Sequence, residues 1–235
     1  MEVLITGANR GLGLALTKTL ITSGHKVIAI VRSEQSNCDN LRCLLDKHAE
    51  RLLVFYLDVT NETEVQELAF RLKEKDVQLD GLINNAGILL GRNESIENLV
   101  MNKVRDSFAI NVYGSMNIIK HTLPLMNSNS EQQKIILTIS SEAGSITNAY
   151  DGDYPYAISK AAVNMFTKQI KEHVKGGNTR VFVIHPGWMR TDMGGENALV
   201  SPNTTAEELM KIIEGRIDIS DDYFFINYLG EPMDL

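Results

Sequence analysis

Tyr156 and Lys160 form the pair of residues most suggestive of chemistry in this sequence. They lie four residues apart in a stretch with helical periodicity, and Pro155 directly precedes them as a helix opener. On a helix this spacing places both side chains on one face, about one turn apart. A phenol has an ordinary pKa of about 10, and a neighbouring ammonium favours the phenolate and lowers that pKa. The pair therefore indicates proton transfer, with a chance pairing on a solvated helix face as the alternative.

A glycine-rich turn provides a second candidate site, for an anionic ligand. Residues 6–13 have the sequence TGANRGLG and lie between an apolar run and a helical pattern. Glycines let the backbone approach a pyrophosphate closely, while the helix N-terminus offers free N–H groups and a positive dipole end. The spacing differs from the plain G-x-G-x-x-G fingerprint, so a purely structural turn is the alternative. The position at the start of a strand–helix unit favours dinucleotide binding.

The elements that must position these residues alternate along the chain. Short apolar, β-branched runs predict strands buried on both faces: Val3–Thr6, Val27–Val31, Leu52–Leu57, Leu82–Ile83, Ile135–Ile139, Val181–Ile184 and Phe224–Ile226. Stretches with apolar residues at three- and four-residue spacing predict helices: Leu12–Thr22, Asn37–Ala49, Glu62–Lys75, Asn98–Met126, Tyr156–Lys175 and Thr205–Glu214. This alternation predicts an α/β fold, a Rossmann-type doubly wound parallel sheet of about seven strands with helices on both faces. We expect residues 1–235 to form a single domain.

Composition narrows the function classes. The 235 residues carry a formal net charge of −7, which argues against a nucleic-acid or anionic-membrane surface. No apolar run reaches the roughly 18 residues of a spanning helix, and the N-terminus lacks the features of a secretory signal. Cys38 and Cys43 fit no metal or redox spacing and predict two free thiols in a reducing compartment. We expect a cytoplasmic protein without a metal site.

Several motifs in the right order resemble the short-chain dehydrogenase/reductase family, single-domain type. They are the glycine turn, Asn84-Asn85-Ala86-Gly87 after the fourth strand, the set Asn111, Ser141, Tyr156 and Lys160, and Pro186-Gly187 after the sixth strand. The resemblance extends from Val3 to about Thr191 and recurs in the last strand. The sequences ANRG at 8–11 and SSEAGSI at 140–146 most resemble the carbonyl-reductase-like members called sniffer and C-factor.

The resemblance implies a role for each of these residues. Tyr156 is the implied proton donor, Ser141 positions the substrate oxygen, Lys160 tunes the tyrosine and holds the nicotinamide ribose, and Asn111 bends its helix and holds a relay water. The implied reaction is NADPH-dependent reduction of an aldehyde, ketone or quinone to an alcohol. The implied cofactor-binding residues are Gly7, Asn9, Arg10, Gly11, Leu12, Gly13, Arg32, Asp58, Val59, Asn85, Ala86, Gly87, Tyr156, Lys160, Pro186, Gly187 and Thr191.

The end of the second strand favours NADP(H) over NAD(H). Val31 occupies the position where NAD-using relatives carry an aspartate, and Arg32 follows it. Arg10, from the glycine turn, is expected to project toward the same corner, where two guanidiniums can hold one 2′-phosphate. The alternative is that both arginines are solvated and Glu34 serves as the ribose carboxylate.

Two positions leave alternatives open. Ser140 and Ser141 both close the fifth strand, and the family pattern favours Ser141 as the catalytic serine, while Ser140 faces the core or the cofactor. Asp58 follows the third strand, where the family uses it for adenine, but an aspartate close to Asn61 can equally cap the following helix.

The substrate is predicted only by class. The loops at 88–90 and 148–154 and the segment after Pro186 are expected to wall an apolar pocket, to which they contribute Tyr150, Tyr154, Trp188, Met189 and Met193. Ordinary loop packing is the alternative. The expected partner is a small-molecule carbonyl compound, and the family suggests a homodimer or homotetramer formed through the helices at 98–126 and 156–175. Two other functions stay open: an NADP(H)-binding sensor with little turnover, and an epimerase or dehydratase, which usually carries an additional substrate domain.

Overall fold

The computed structural model describes residues 1–126 and 133–235. Its strands are β1 (Glu2–Thr6), β2 (Lys26–Val31), β3 (Leu52–Tyr56), β4 (Gly81–Asn84), β5 (Lys134–Ile139), β6 (Thr179–His185) and β7 (Phe225–Asn227). They form a seven-stranded sheet in the order β3-β2-β1-β4-β5-β6-β7. Every neighbouring pair is parallel. The order reverses between β1 and β4, so the carboxyl ends of these strands border a crevice where this type of sheet binds ligands.

The helices cover both faces of the sheet. They are α1 (Gly11–Thr22), α2 (Asp39–Lys47), α3 (Glu62–Glu74), α4 (Met101–Ser107), α5 (Ser115–Thr122), α6 (Tyr154–His173) and α7 (Pro202–Ile213). Residues of α1 and α7, such as Leu16 and Leu209, pack in one core cluster with β-strand side chains. Residues of α3 and α5, such as Leu68 and Ile118, pack in a second cluster that includes the opposite-facing strand residues. The predicted Rossmann-type, doubly wound architecture is confirmed.

One strand departs from the prediction of burial on both faces. Leu53 and Tyr56 of β3 are exposed, because β3 lies at the edge of the sheet and pairs only with β2. A run of consecutive apolar residues therefore does not distinguish an edge strand from a central one.

The long helix predicted over residues 98–126 is interrupted. A 3-10 turn (Ile96–Asn98) precedes α4, a π-helical segment (Phe108–Gly114) joins α4 to α5, and a second 3-10 turn (Leu123–Met126) follows α5. Asn111 lies in the middle of the π-helical segment. Such wider turns are rare and concentrate at functional sites, so the interruption marks the neighbourhood of Asn111.

Among the described residues, no helix is both long enough and apolar enough to cross a bilayer. Cys38 is buried at the start of α2, whereas Cys43 is exposed, and both are free thiols. Within the same residues, no group of three or more histidine, cysteine, aspartate or glutamate side chains is arranged to hold a metal ion.

Candidate active site

The glycine turn after β1 requires glycine at three positions. Gly7 and Gly11 have φ of +66° and +53°, a left-handed conformation that side chains disfavour. Gly13 has no room for a side chain, since a Cβ there would lie 2.2 Å from the Gly7 carbonyl oxygen. The turn is therefore held tightly against the start of α1, whose N-terminal N–H groups face the crevice.

The loop after β4 supports this turn from below. The Thr6 hydroxyl oxygen accepts hydrogen bonds from the backbone N–H groups of Asn85 (3.0 Å) and Ala86 (2.9 Å). In return, the Asn85 side-chain amide donates to the carbonyl oxygens of Thr6 (2.9 Å) and Gly7 (3.2 Å). The two predicted cofactor motifs thus form one hydrogen-bonded unit at the switch point of the sheet.

A cleft of about 790 Å³ runs along the carboxyl edge of the sheet, which is ample for a dinucleotide and a small substrate. Gly13 and Gly187, among the predicted cofactor residues, do not line it: Gly13 lies beneath the turn, and Gly187, with φ of +81°, packs against Tyr228. The predicted cofactor residues that line it are Gly7, Asn9, Arg10, Gly11, Leu12, Arg32, Asp58, Val59, Asn85, Ala86, Gly87, Tyr156, Lys160, Pro186 and Thr191.

Tyr156 and Lys160 lie side by side at the floor of this cleft. They are 8% and 5% exposed, respectively. The Lys160 ammonium nitrogen lies 5.5 Å from the centroid of the Tyr156 ring and donates a hydrogen bond of 2.8 Å to the Ile139 carbonyl oxygen. The predicted one-face arrangement is present.

Burial dominates the protonation of both groups. Burial raises the pKa of Tyr156, and this is the largest effect. A hydrogen bond with Ser141 and the positive charge of Arg92 lower this pKa, whereas the negative charge of Asp153 raises it. Burial also lowers the pKa of Lys160 from 10.5 to about 8. The expectation that the lysine would depress the tyrosine pKa is therefore wrong for the protein alone, because desolvation of the phenolate outweighs the other effects.

The two serines after β5 have different environments. The Ser140 hydroxyl donates to the side-chain oxygen of Asn164 at 2.6 Å and is buried. The Ser141 hydroxyl accepts from the Ala143 backbone N–H at 3.2 Å and is hydrogen bonded to Tyr156. Ser141 is therefore the serine that is hydrogen bonded to the tyrosine, although Ser140, and not Ser141, is among the residues that line the cleft.

Asn111 is buried and fully engaged. Its side-chain oxygen accepts from the Ile88 N–H at 2.8 Å, and its amide donates to the Ile88 carbonyl oxygen (3.0 Å) and to the Ser159 hydroxyl (2.9 Å). A Cβ on Gly87 would lie 3.3 Å from the Asn111 side-chain oxygen and 3.6 Å from the Lys160 nitrogen. Asn111 thus ties the loop after β4 to α6 beside Lys160.

The two arginines predicted to hold a 2′-phosphate differ in their contacts. Arg10 forms an ion pair with Asp192, at 2.6 Å, across the cleft from the glycine turn. Arg32 is exposed, and within the described part of the chain its guanidinium forms no ion pair or side-chain hydrogen bond. Arg32 is therefore free to bind a phosphate, whereas Arg10 must exchange one anion for another.

The Asp58 side chain is engaged in local hydrogen bonds, but it does not cap the following helix, which was the alternative to adenine binding. One of its carboxylate oxygens accepts hydrogen bonds from the Thr60 N–H (2.9 Å) and hydroxyl (2.8 Å). Asn61, rather than Asp58, caps α3 by accepting from the N–H groups of Thr63 and Glu64. Asp58 nevertheless lines the cleft with Val59.

The predicted apolar substrate lining is only partly assembled. Met189 and Met193 line the cleft. The three predicted aromatic residues do not line the cleft, and each is held by a hydrogen bond that it donates. Tyr150 donates to Asp153 at 3.1 Å, Tyr154 donates to Asp151, and Trp188 donates to the Gly194 carbonyl oxygen at 2.8 Å. Loop packing accounts for these three positions in the protein alone.

Sequence reasoning did not identify Asn164 and Ser159. Both side chains lie on the buried face of α6, where they hold Ser140 and Asn111. The available signal was a row of polar residues at three- and four-residue spacing through Tyr156, Lys160 and Asn164, on a helix face that the fold buries.

The low pKa of Lys160 gives a testable pH dependence of stability. Below pH 8 the folded protein contains a buried ammonium at Lys160, which lowers its free energy of unfolding. Between pH 8 and 10.5 the folded protein has lost this proton while the unfolded chain still holds it, so the free energy of unfolding rises with pH and the penalty disappears. We therefore expect Lys160→Met to be most stabilising, relative to the native protein, near pH 7. The advantage should shrink by up to roughly 3 kcal/mol between pH 8 and 10.5.

Urea unfolding of both proteins without cofactor, at pH 7 to 10, measures this difference. A difference in the free energy of unfolding that stays constant with pH would contradict the assignment. Lys168→Met, at a partly exposed lysine paired with Glu172 on the same helix, is the matched control and should show no such slope.

Comparisons with known proteins agree with this geometry. Residues 2–199 match the model of the family described as short chain dehydrogenase. The NADP-dependent 3-hydroxy acid dehydrogenase YdfG of Escherichia coli (strain K12) is 32% identical over 187 residues, which cover 80% of this chain and 72% of that protein. The structure is similar to carbonyl reductase Sniffer of D. melanogaster (28% identity, TM-score 0.91, 100% and 99% of the two chains). It is also similar to an NADPH-bound carbonyl reductase from chicken fatty liver (29% identity, TM-score 0.87, 100% and 94%).

Proposed function

The chain belongs to the short-chain dehydrogenase family, and from that premise we propose that it uses NADPH to reduce the carbonyl group of an aldehyde, ketone or quinone to an alcohol. Its established class is that of a nicotinamide-dependent oxidoreductase. Carbonyl reduction in particular is our inference from the site. The observation that carries it is that Tyr156, hydrogen bonded to Ser141 and beside Lys160, lines the same cleft as the glycine turn.

The cofactor is NADP(H), and the residues of the cleft fit it. Gly7, Gly11 and Leu12 of the glycine turn line the cleft at the start of α1, where the free N–H groups of a helix N-terminus suit a pyrophosphate. Arg32 offers an unpaired guanidinium beside the end of β2, where the adenosine ribose binds in this type of fold. When bound, the cofactor supplies the hydride for the carbonyl carbon.

In the proposed mechanism Tyr156 is the general acid. Its burial keeps the phenol protonated at neutral pH, which is the form needed to give a proton to the carbonyl oxygen during reduction. The Ser141 hydroxyl, already hydrogen bonded to the phenol, donates to the same substrate oxygen and stabilises the negative charge that develops there.

Lys160 and Asn111 support this proton transfer. The Lys160 ammonium, with a pKa of about 8, exchanges its proton readily near neutral pH and can restore the phenol after each turnover. Asn111 holds the loop after β4 against α6 through Ile88 and Ser159. We propose that it maintains in this way the relay that passes through Lys160.

Arg32 should determine the preference for NADPH. We expect Arg32→Ala to raise the Kd for NADPH at least tenfold, because a charge-assisted hydrogen bond to phosphate contributes about 1.5–3 kcal/mol. The Kd for NADH should change less than twofold. Fluorescence titration of both cofactors measures this, with Arg71→Ala, an exposed arginine paired with Glu67 on α3, as the control. Equal losses for the two cofactors would refute the role of Arg32.

We further propose that residues 1–235 form one cofactor-binding domain, that the protein works in the cytoplasm, and that it assembles as a homodimer or homotetramer. Exposed apolar side chains on the α4–α6 helices support the assembly: Met101, Tyr113, Met116, Ile158 and Met165. Sedimentation velocity at micromolar concentration tests it, and a purely monomeric species would contradict it.

The reaction itself is tested by NADPH oxidation in the presence of aldehydes, ketones and quinones. Turnover with any of these classes supports the proposal. Tight NADPH binding without turnover of any of them would favour the alternative of an NADP(H)-binding sensor.

A further inference from the structure

We propose that Arg92 is a specificity-determining residue for the substrate and that the carbonyl compound reduced here carries a carboxylate group. This inference rests on the proposed carbonyl reduction and names the chemistry at the far end of the substrate. Four observations support it: the anchoring of the loop that carries Arg92, the position of its guanidinium, its electrostatic reach, and its lack of an ionic partner.

The segment around Arg92 is anchored to the start of α6. Gly91 packs so closely on Pro155 that a Cβ would lie 2.9 Å from the proline ring. The backbone N–H of Asn93 donates to the Asp153 carboxylate at 3.2 Å. Because Pro155 and Asp153 flank the first turn of the helix that carries Tyr156, the backbone of Arg92 is held in fixed relation to the catalytic tyrosine.

The guanidinium of Arg92 contacts the segment that follows β6. It donates to the Met193 carbonyl oxygen at 2.9 Å. Arg92 follows β4 and Met193 follows β6, and these two strands flank β5, whose carboxyl end leads into Ser141. The contact therefore joins the segments on the two sides of β5, and Met193, unlike Arg92, is among the residues that line the cleft.

The positive charge of Arg92 influences the pKa of Tyr156 and of the neighbouring Tyr150. Burial raises the pKa of Tyr156, and the positive charge of Arg92 acts in the opposite direction. Burial raises the pKa of Tyr150 to about 12, and Arg92 again opposes this rise. The guanidinium is therefore within electrostatic range of the phenol that faces the substrate.

Arg92 lacks an ionic partner, although carboxylates lie nearby. Most arginines of the described chain form ion pairs, as Arg10 does with Asp192. Within those residues no ion pair includes Arg92. Glu94 is instead paired with Lys103, and Asp153 accepts from Tyr150 and Asn93.

These features match recognition of a carboxylate. A guanidinium has five N–H donors in a planar fork that fits a carboxylate with two parallel hydrogen bonds. Within residues 1–126 and 133–235, Arg92 uses one donor, on a neutral carbonyl oxygen that an anion readily replaces. A substrate whose carbonyl oxygen lies between Ser141 and Tyr156 can thus place a carboxylate at its other end against Arg92.

The test compares two aldehydes that differ in charge and by one methyl group, 4-carboxybenzaldehyde and methyl 4-formylbenzoate. The measured quantity is the ratio of kcat/KM for the acid to kcat/KM for the ester. We expect Arg92→Ala to lower this ratio tenfold or more, Arg92→Lys to retain most of it, and Arg71→Ala to leave it unchanged. A ratio that stays within twofold of the native value in Arg92→Ala would overturn the proposal, as would equal losses on both aldehydes.

Charge reversal separates recognition from a structural role. Arg92→Glu should lower kcat/KM for the acid further and favour 4-(trimethylammonio)benzaldehyde over it. If Arg92 served only to hold Met193, the substitution would lower kcat/KM for all three aldehydes equally. That result would also overturn the proposal.

A binding measurement keeps this inference independent of turnover. If the native protein reduces no carbonyl compound, the proposed function fails, and calorimetric titration of 4-carboxybenzyl alcohol and methyl 4-(hydroxymethyl)benzoate into the NADP⁺ complex decides the role of Arg92. A preference of the native protein for the acid that Arg92→Ala loses would uphold carboxylate recognition; equal affinities in both proteins would refute it.

Discussion

Tyr156→Phe is expected to lower kcat by roughly a thousandfold, within the range of general acid catalysis, while the Kd for NADPH stays close to that of the native protein. Phenylalanine preserves the buried ring and its packing beside Lys160 but removes the hydroxyl that gives a proton to the substrate oxygen. The Ser141 hydroxyl remains but does not replace the lost proton donor, because an aliphatic hydroxyl is a much weaker acid than a phenol.

Stopped-flow measurement of NADPH oxidation, together with fluorescence titration of NADPH, tests this prediction. Tyr223→Phe removes a hydroxyl from an exposed tyrosine before β7 and serves as the matched control. If Tyr156→Phe turned over within tenfold of the native rate, the proton would have to come from another group and the proposed mechanism would be wrong.

Gly13→Ala should be the second most damaging substitution, through binding rather than chemistry. A Cβ at this position would lie 2.2 Å from the Gly7 carbonyl oxygen and 2.6 Å from the Asn85 amide nitrogen. The first of these is a backbone atom of the turn itself, so the turn must open. Strain of this kind costs about 1–3 kcal/mol, and we expect the Kd for NADPH to rise by ten- to roughly a hundredfold.

Calorimetric titration of NADPH measures that loss, and thermal unfolding measures the accompanying fall in Tm. Gly177→Ala is the control, because a Cβ there would come no closer than 3.3 Å to its nearest neighbour, the Val174 carbonyl oxygen. Native NADPH affinity in Gly13→Ala would show that the turn does not hold the pyrophosphate as described.

The features that could be predicted from sequence are those set by local spacing. The pattern of Gly7, Gly11 and Gly13 after an apolar run predicted the turn, because only glycine fits its φ values and close contacts. The four-residue spacing of Tyr156 and Lys160 predicted their common helix face. Strand and helix alternation predicted the sheet, because parallel strands buried on both faces have continuous apolar sequences.

Features set by contacts distant in sequence could not be predicted in this way. The pairing of Arg10 with Asp192 spans 182 positions, and no local pattern indicates it. The raised pKa of Tyr156 depends on how deeply the fold buries the ring, whereas the sequence shows only the nearby lysine. Trp188 was expected to line the substrate pocket because it lies in the segment after Pro186, but its indole N–H donates to the Gly194 carbonyl oxygen.

The helix at 98–126 illustrates a third case. Its apolar periodicity is continuous enough to predict one helix, yet the structure widens into a π-helical segment around Asn111. The reason is non-local: the Asn111 side chain binds the backbone of Ile88 and the hydroxyl of Ser159. A buried asparagine in a helical pattern is the available signal, and it marks the functional neighbourhood rather than the backbone geometry.

The central claim, hydride transfer from NADPH to a carbonyl carbon, is tested most directly by isotope transfer. Purified protein is incubated with NADPH deuterated at both C4 positions and with a mixture of aldehydes and ketones, and the products are analysed by mass spectrometry; quinones are tested separately, by formation of the hydroquinone. We expect an alcohol that carries one deuterium at the former carbonyl carbon, or a hydroquinone, formed by the native protein and at a far lower rate by Tyr156→Phe. NADPH binding without any deuterated alcohol or hydroquinone would contradict the proposed reductase activity.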